Sequence, residues 1–375
     1  MAKGLYLSLL VGPVVPSPVG QEVIDALTSA QVTVSAGAGA RSGFQLGFNL
    51  GKGSSLEGKF VTGSAQPLNR VILVATVNGT SEVLIDGVVT RADVKPGQGN
   101  APATLTVTGL DLTAVMDWID FDGFPFPAMP AEARVALMIA KYAVFGIIPM
   151  VIPSILIDIP IPTDRIPRQK GTDYSYINQL ADEVGYVFYL KPGPVPGANI
   201  GYWGPEIKVG VPQPALNVDM DALTNVESLS FNFDAEHAEL PVVLIYNQET
   251  KVPIPIPVPA ITPLNPPLGL IPPFPKKIRF IEGTAKLSPV RAAMIGLAKA
   301  AQSADAVTGS GSLDVIRYGR PLRARELVGV RGAGSSFDGL YYVKSVTHDI
   351  KKGEYKQSFS LGRNGLISTL PKVPA

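Results

Sequence analysis

Few residues in this 375-residue sequence could do covalent or metal chemistry. It has no cysteine, which excludes disulfides, thiolate metal sites and cysteine nucleophiles. Its only histidines are His237 and His348. A three-histidine zinc site therefore cannot form, and a histidine-based triad would have to use one of these two. His237 falls in the polar turn Asp234-Ala235-Glu236-His237 and reads as a solvated loop residue. His348, between Thr347 and Asp349 at the end of an expected strand, reads as a hydrogen-bonding or turn-capping group. Asp117, Asp120 and Asp122 form an acidic cluster but lack the glycine and distal glutamate of a calcium loop. Asp182 and Glu183 belong on the polar face of an expected helix. The glycine-rich stretches 37–43 and 309–311 match neither phosphate-loop pattern and read as turns. Residues 332–336 are not a nucleophile elbow. No carboxylate pair is singled out for glycoside hydrolysis, which separation in space decides. On this reading no catalytic, cofactor-binding or metal-binding residue is assigned, and no cofactor is implied.

The composition bounds the fold class. Hydrophobic residues make up 46% and charged residues 17%, below the usual share of about 25%, so the chain is not disordered. The net charge of +1 excludes a global basic field for nucleic acid, though not a local basic lining. The 38 glycines and 35 prolines are above average and imply many turns, hence a β-rich protein of two or three domains. The apolar N-terminal stretch reads as a strand and not as a signal peptide. The apolar span 142–157 contains Pro149 and Pro153 and falls short of the ~20 residues that cross a bilayer, so buried irregular structure is expected there.

Periodicity supplies the elements. Strands are expected at 5–11, 31–35, 44–50, 70–77, 82–90 and 103–108, with a short helix at 23–27. Breaks are expected at Gly37-Ala38-Gly39, Gly51-Lys52-Gly53, Asn78-Gly79, Asp86-Gly87 and Pro96-Gly97, with a hairpin at Asn78-Gly79. A helix over 130–143 carries Val135, Met138, Ile139 and Tyr142 on one face and is stopped by Gly146 and Pro149. A second helix has Asp173 as N-cap, a stripe of Tyr174, Ile177, Leu180, Ala181 and Val184, and Gly185 as C-cap. A strand at 186–190 follows. Further strands are expected at 226–233, 241–247, 277–282, 307–318, 326–331, 340–348 and 355–361, with a helix starting at Ser288-Pro289. In the segment 252–275, Pro253, Pro255, Pro257 and Pro259 alternate with Ile and Val, and no residue is charged. It can be neither a helix nor a central strand, and reads as an extended connector or contact arm.

The arrangement is mainly β with α+β insertions: a first antiparallel β-domain at 1–110, whose even strand spacing suits a small barrel or a sandwich, an α+β middle domain at 111–215, and a second β-domain at 216–375 carrying the proline-rich arm. A weak internal repeat places a closing hairpin in both β-domains, which would make them two related barrels with the helical region between. Asp86-Gly87, a strand, a basic turn and a strand ending in Gly109 parallel Asp338-Gly339, a strand, Lys351-Lys352-Gly353 and a strand ending in Gly362.

Three stretches belong together: the run from Leu105 to Asp111, the run from Thr172 to Tyr189, and the run from Gly339 to His348 followed by Gly353-Glu354-Tyr355 and the stretch from Phe359 to Gly365. In this order and spacing they resemble the late control D family, the baseplate hub of contractile phage tails and related injection systems, whose module also opens the VgrG spike. The resemblance spans nearly the whole chain. It implies two tail-tube-like barrels per chain and a homotrimer that adapts a sixfold inner tube to a threefold spike around a central channel. It also implies partners: a separate spike protein, an inner tube ring or tube-initiator protein, baseplate wedge proteins, and DNA or protein cargo in the lumen, with no stable membrane insertion. The implied setting is a virion or injection particle assembled in the bacterial cytoplasm. The sequence ends after Leu370-Pro371-Lys372-Val373-Pro374 without the needle of VgrG chains, so the spike is expected as another chain. The rival readings are a glycan hydrolase on a β-scaffold and a membrane-associated β protein.

Overall fold

The computed structural model describes the chain except residues 1–3, 52–53, 63–67, 98–101, 155–158, 164–165, 237–238, 247–252, 258–265, 282–294, 297–304 and 371–375. His237 and the helix start at Ser288-Pro289 lie outside the described residues. The fold is mainly antiparallel β, with few helices.

The N-terminal strands are β1 (Leu5–Gly12), β2 (Ser17–Pro18), β3 (Leu27–Ser35), β4 (Gly43–Leu50), β5 (Arg70–Val77), β6 (Thr80–Lys95) and β7 (Ala103–Asp111), with helix α1 (Gln21–Ala26) before β3. They pair in the order β3-β4-β7-β6-β5-β1-β2. Asn78 and Gly79, at φ 51° and 83°, make the tight turn between β5 and β6. The break expected at Asp86-Gly87 does not exist, because both residues lie inside β6. Gly87 is there because β7 runs so close that a Cβ would sit 2.2 Å from the Leu110 carbonyl oxygen.

The middle segment places α2 (Ala131–Ala140) and α3 (Asp173–Val184) on a three-stranded sheet of β8 (Ile147–Val151), β10 (Asn199–Gly204) and β9 (Val187–Pro192). Val135, Met138 and Ile139 of α2 and Ile177 and Leu180 of α3 meet Phe188 and Trp203 in one apolar core. The cap of α3 is Thr172, whose hydroxyl accepts from the Ser175 amide; Asp173 is instead the first helical residue and is buried. Gly185 closes the helix in the left-handed conformation, as expected. Part of the span expected to be buried irregular structure is the edge strand β8, which includes Pro149 and leaves Ile148 and Met150 exposed. A proline fits an edge strand because its missing N–H can face solvent.

The C-terminal strands are β11 (Gln213–Asn217), β12 (Ser228–Phe233), β13 (Glu239–Tyr246), β14 (Pro253–Pro257), β15 (Gly269–Ile271), β16 (Lys277–Ile281), β17 (Val307–Asp314), β18 (Leu327–Arg331), β19 (Gly339–Lys351), β20 (Glu354–Arg363) and β21 (Leu366–Ser368). β17 ends sooner than expected, because Asp314 caps the short helix α4 (Val315–Tyr318). Gly309 and Gly311 are not turn residues. They lie inside β17, where Phe231 and Phe359 crowd the space a side chain would need. The described part of the proline-rich segment includes β14, an edge strand paired with β13. Its alternate prolines leave the intervening isoleucine amides for the ladder.

β12, β17, β20, β19, β18 and β11 form a second strand set that joins the first through β19 and β3, giving one 13-stranded sheet. A single apolar core runs under both sets, from Leu46, Phe48 and Val107 to Val307, Tyr341 and Phe359.

Candidate assembly surface

Cross-strand partners in a ladder share a face of the sheet. From β12 to β6 the face opposite the core carries Ser228, Ser230 and Asn232, then Ser310 and Ser312, Ser358 and Ser360, Ser345 and Thr347, Gln31 and Thr33, Gln45 and Asn49, and Thr104, Thr106 and Thr108. These side chains are exposed or half-buried. Most charges on this face are compensated locally, with Lys95, opposite Thr104, outside any ion pair among the described residues. Arg91 pairs with Asp93 at 2.8 Å, Lys356 with Glu227 at 2.9 Å and Glu354 at 3.3 Å, and Lys351 with Asp349 at 3.7 Å. Among the described residues the result is a broad hydroxyl- and amide-rich surface on which most charges are paired.

Three buried polar joints hold this surface on its supports. Arg70 and Asp86, with side chains 3% and 0% exposed, form a bidentate pair at 2.7 and 2.6 Å. The Arg70 guanidinium also donates to the carbonyls of Val14, Phe145 and Gly197, and Asn199 donates to Asp86, so the first strand set is tied to the middle segment. Arg325 donates to the carbonyls of Ser35 and Leu190 and stacks 3.8 Å from the Tyr189 ring centroid, joining all three parts. Asp305 accepts from Lys208 at 2.9 Å and Lys344 at 2.7 Å. Burial alone would raise the Asp305 carboxyl, but the two ammonium groups override it and hold it at about 2.

The residues that invited catalytic readings are used structurally. Asp120 accepts the Asp122 amide, Asp122 accepts the Gly171 amide, and Asp117 binds Arg41 and Thr172. Among the described residues no group of three His, Cys, Asp or Glu side chains could hold a metal ion. His348 is not at a strand end or turn. It lies within β19 and points into the core, where Tyr355 Oη is 2.6 Å and Gln357 Nε2 is 3.2 Å from its Nδ1. Burial pushes its pKa down to about 4, so the ring is neutral. Asp182 is exposed on α3, and Gln179 donates to Glu183. None of the described helices is long and apolar enough to cross a membrane.

No family model matches the sequence, and no curated protein matches it. Solved structures do match in fold. The tail protein from Neisseria meningitidis MC58 superposes with a TM-score of 0.63 at 13% identity, over 97% of this chain and 98% of that one. The 43 kDa tail protein of prophage MuSo2 from Shewanella oneidensis gives 0.58 at 15% identity, over 96% and 98%. A chain of the Francisella PdpA–VgrG complex gives 0.60 at 7% identity; it covers 100% of this chain, which spans 55% of that longer one. The whole described architecture, the long sheet with its α+β insertion, is therefore the fold of phage tail proteins, as the resemblance of the sequence implied.

Proposed function

We propose that this chain is a structural hub of the baseplate of a contractile tail or injection particle, with no covalent chemistry of its own. One observation carries the reading. The 13-stranded sheet contains two strand sets with the same pairing order, β3-β4-β7-β6-β5-β1 and β12-β17-β20-β19-β18-β11, joined where β3 pairs with the part of β19 beyond β18, from Ser345 to Lys351. Taken in chain order, each strand of the first set has its counterpart in the second. One polypeptide therefore carries two similar units side by side. Three copies in a closed ring present six similar positions, which lets a threefold spike meet a sixfold tube. We assign the first unit to residues 1–110, the α+β support to 111–215 and the second unit to 216–375.

The hydroxyl-rich face suits the wall of a passage. A surface whose charges are mostly paired holds a polyanion only weakly through counterion release, and one rich in hydroxyls and amides offers unfolded protein little apolar area. DNA or protein cargo can pass such a wall. The expected partners are a spike chain below, a tube ring or tube initiator above, and wedge proteins outside. On this reading the protein belongs to a virion or injection particle built in the bacterial cytoplasm.

The test is negative-stain imaging of the purified chain, alone and with its spike partner. The expected class averages show a threefold ring with a central opening and six outer lobes. Isolated monomers in both samples would remove the symmetry-adaptor role.

A further inference from the structure

Among the described residues four arginines are buried: Arg70, Arg134, Arg325 and Arg363. Three of them are well supplied with acceptors. Arg70 holds Asp86 and three carbonyls. Arg325 donates to the carbonyls of Ser35 and Leu190 and to the Ser42 hydroxyl. Arg363 donates to the carbonyls of Ser336 and Asp338 and lies 4.5 Å from the Tyr341 ring centroid. Arg134, in the first turn of α2, is the exception. It is 8% exposed, and the only acceptor of its side chain among the described residues is the Tyr176 hydroxyl, which takes Nη1.

That contact leaves the other edge of the guanidinium free. Nε is buried without a hydrogen-bond partner, and no acceptor among the described residues meets Nη2. Nε and Nη2 are the parallel N–H pair that grips the carboxylate in the Arg70–Asp86 joint. Glu132, two positions before Arg134, is taken up by the Ser154 amide at 3.1 Å and hydroxyl at 2.5 Å. The Tyr176 ring offers little compensation, because its centroid lies 5.8 Å from the Arg134 Cζ, near the limit of a cation–π contact. The first turn of a helix already carries partial positive charge. A buried cation rooted there without a counter-charge is costly, and an anion relieves both terms. The Tyr176 hydroxyl accepts from Nη1 and keeps its own proton to donate, with no acceptor for it among the described residues.

An aromatic row runs from this pair to the surface. Tyr176 stacks on Phe126 with centroids 6.1 Å apart, and Phe126 meets Phe124 edge-on at 5.3 Å. Phe126 is buried, whereas Phe124 is 53% exposed. We propose that Arg134 and Tyr176 form a carboxylate-binding site, filled by an aspartate or glutamate side chain of a partner protein whose apolar neighbour rests on Phe124. The Nε–Nη2 edge takes the two carboxylate oxygens, and the Tyr176 hydroxyl adds a third donor. The aromatic row takes the flanking apolar side chain. A free inorganic anion would use the charge and leave Phe124 bare. The proposal stands apart from the hub reading, because it uses only residues of the α+β segment.

Thermal unfolding of the full chain tests this in two ways. N-acetyl-phenylalanyl-glutamate amide at millimolar concentration should raise the melting temperature, and by more than its glutamine analogue or acetate at equal ionic strength. Arg134→Met should abolish that difference, and Tyr176→Phe should reduce it. Without any probe, Arg134→Met should melt no lower than the unsubstituted chain, because it removes a buried cation that has no carboxylate to leave behind. Equal shifts from the glutamate and glutamine dipeptides, or an undiminished shift in Arg134→Met, would overturn the site. Acetate matching the glutamate dipeptide would make it a free-anion site and overturn the protein partner. An Arg134→Met chain that melts lower or fails to fold would show the guanidinium to be structural, which also overturns the proposal. None of these outcomes alters the ring expected in images, so the hub reading stands or falls separately.

Discussion

Replacing Arg70 with methionine should cost about 3–5 kcal/mol of folding stability, the size expected when one partner of a buried ion pair is removed. Methionine restores much of the volume, so a cavity contributes little. The cost comes from what stays behind. Asp86, fully buried, would keep only the amide of Asn199 at 2.8 Å, and the carbonyls of Val14, Phe145 and Gly197 would lose their donor. An exposed pair would contribute at most ~1 kcal/mol, so the magnitude separates the buried reading from a merely geometric one. With a urea slope of about 3 kcal/mol/M, the midpoint should fall by about 1–2 M. Trp203 is buried in the middle core whereas Trp118 is half exposed, so a fluorescence shift on unfolding reports the core that Arg70 anchors. A double-mutant cycle with D86L should give a coupling of at least ~2 kcal/mol, because the second change removes the stranded carboxylate. A loss below ~1 kcal/mol for Arg70→Met, or an additive cycle, would refute the claim that this joint holds the first strand set to its support.

Two further outcomes follow from the packing. His348 has its pKa lowered to about 4 from 6.5, so the unfolded state takes up the proton first as pH falls; stability should be full above pH 6.5 and decline down to pH 4. The loss is about 3 kcal/mol at 1.36 kcal/mol per pKa unit, and His348→Gln should flatten that part of the pH profile in urea titrations. Gly87→Ala should destabilise the β6–β7 pairing, since the new methyl would meet the Leu110 carbonyl; unchanged thermal unfolding would show that the strands can separate there at no cost.

The local elements were legible because they depend on neighbouring residues. The two strands flanking Asn78-Gly79 and the stripe of α3 ending at Gly185 come from period and turn chemistry that no distant contact alters. Readings failed where a distant chain segment overrode a local preference. Asp86-Gly87 carries the composition of a turn, yet Arg70 and the close approach of β7 hold it in a strand. Gly309 and Gly311 serve to admit phenylalanines rather than to bend the chain. The N-cap moved from Asp173 to Thr172 because Lys141, Tyr142 and Gln169 claim the aspartate.

The repeat shows the same division at larger scale. The two hairpins were visible in sequence, but aligned on their Asp-Gly pairs they are out of step. The bulges, between Val89 and Arg91 in β6 and between Val343 and Ser345 in β19, set the correspondence, and a bulge is a property of two paired strands. The second strand set is also interrupted between β12 and β17 by the β13–β16 insertion, which hides the period. The sequence by itself determined the β-rich class, the α+β insertion and the absence of cysteine chemistry, because these follow from composition and local pattern; the resemblance to tail hubs rested on three matched stretches. Only the tertiary structure decided that the two units share one sheet, that its outer face is rich in hydroxyls and amides with most charges paired, and which of the described strands lie at its edges. Those depend on hydrogen-bonded register between residues hundreds of positions apart, such as Thr33 and Thr347, which no local pattern encodes.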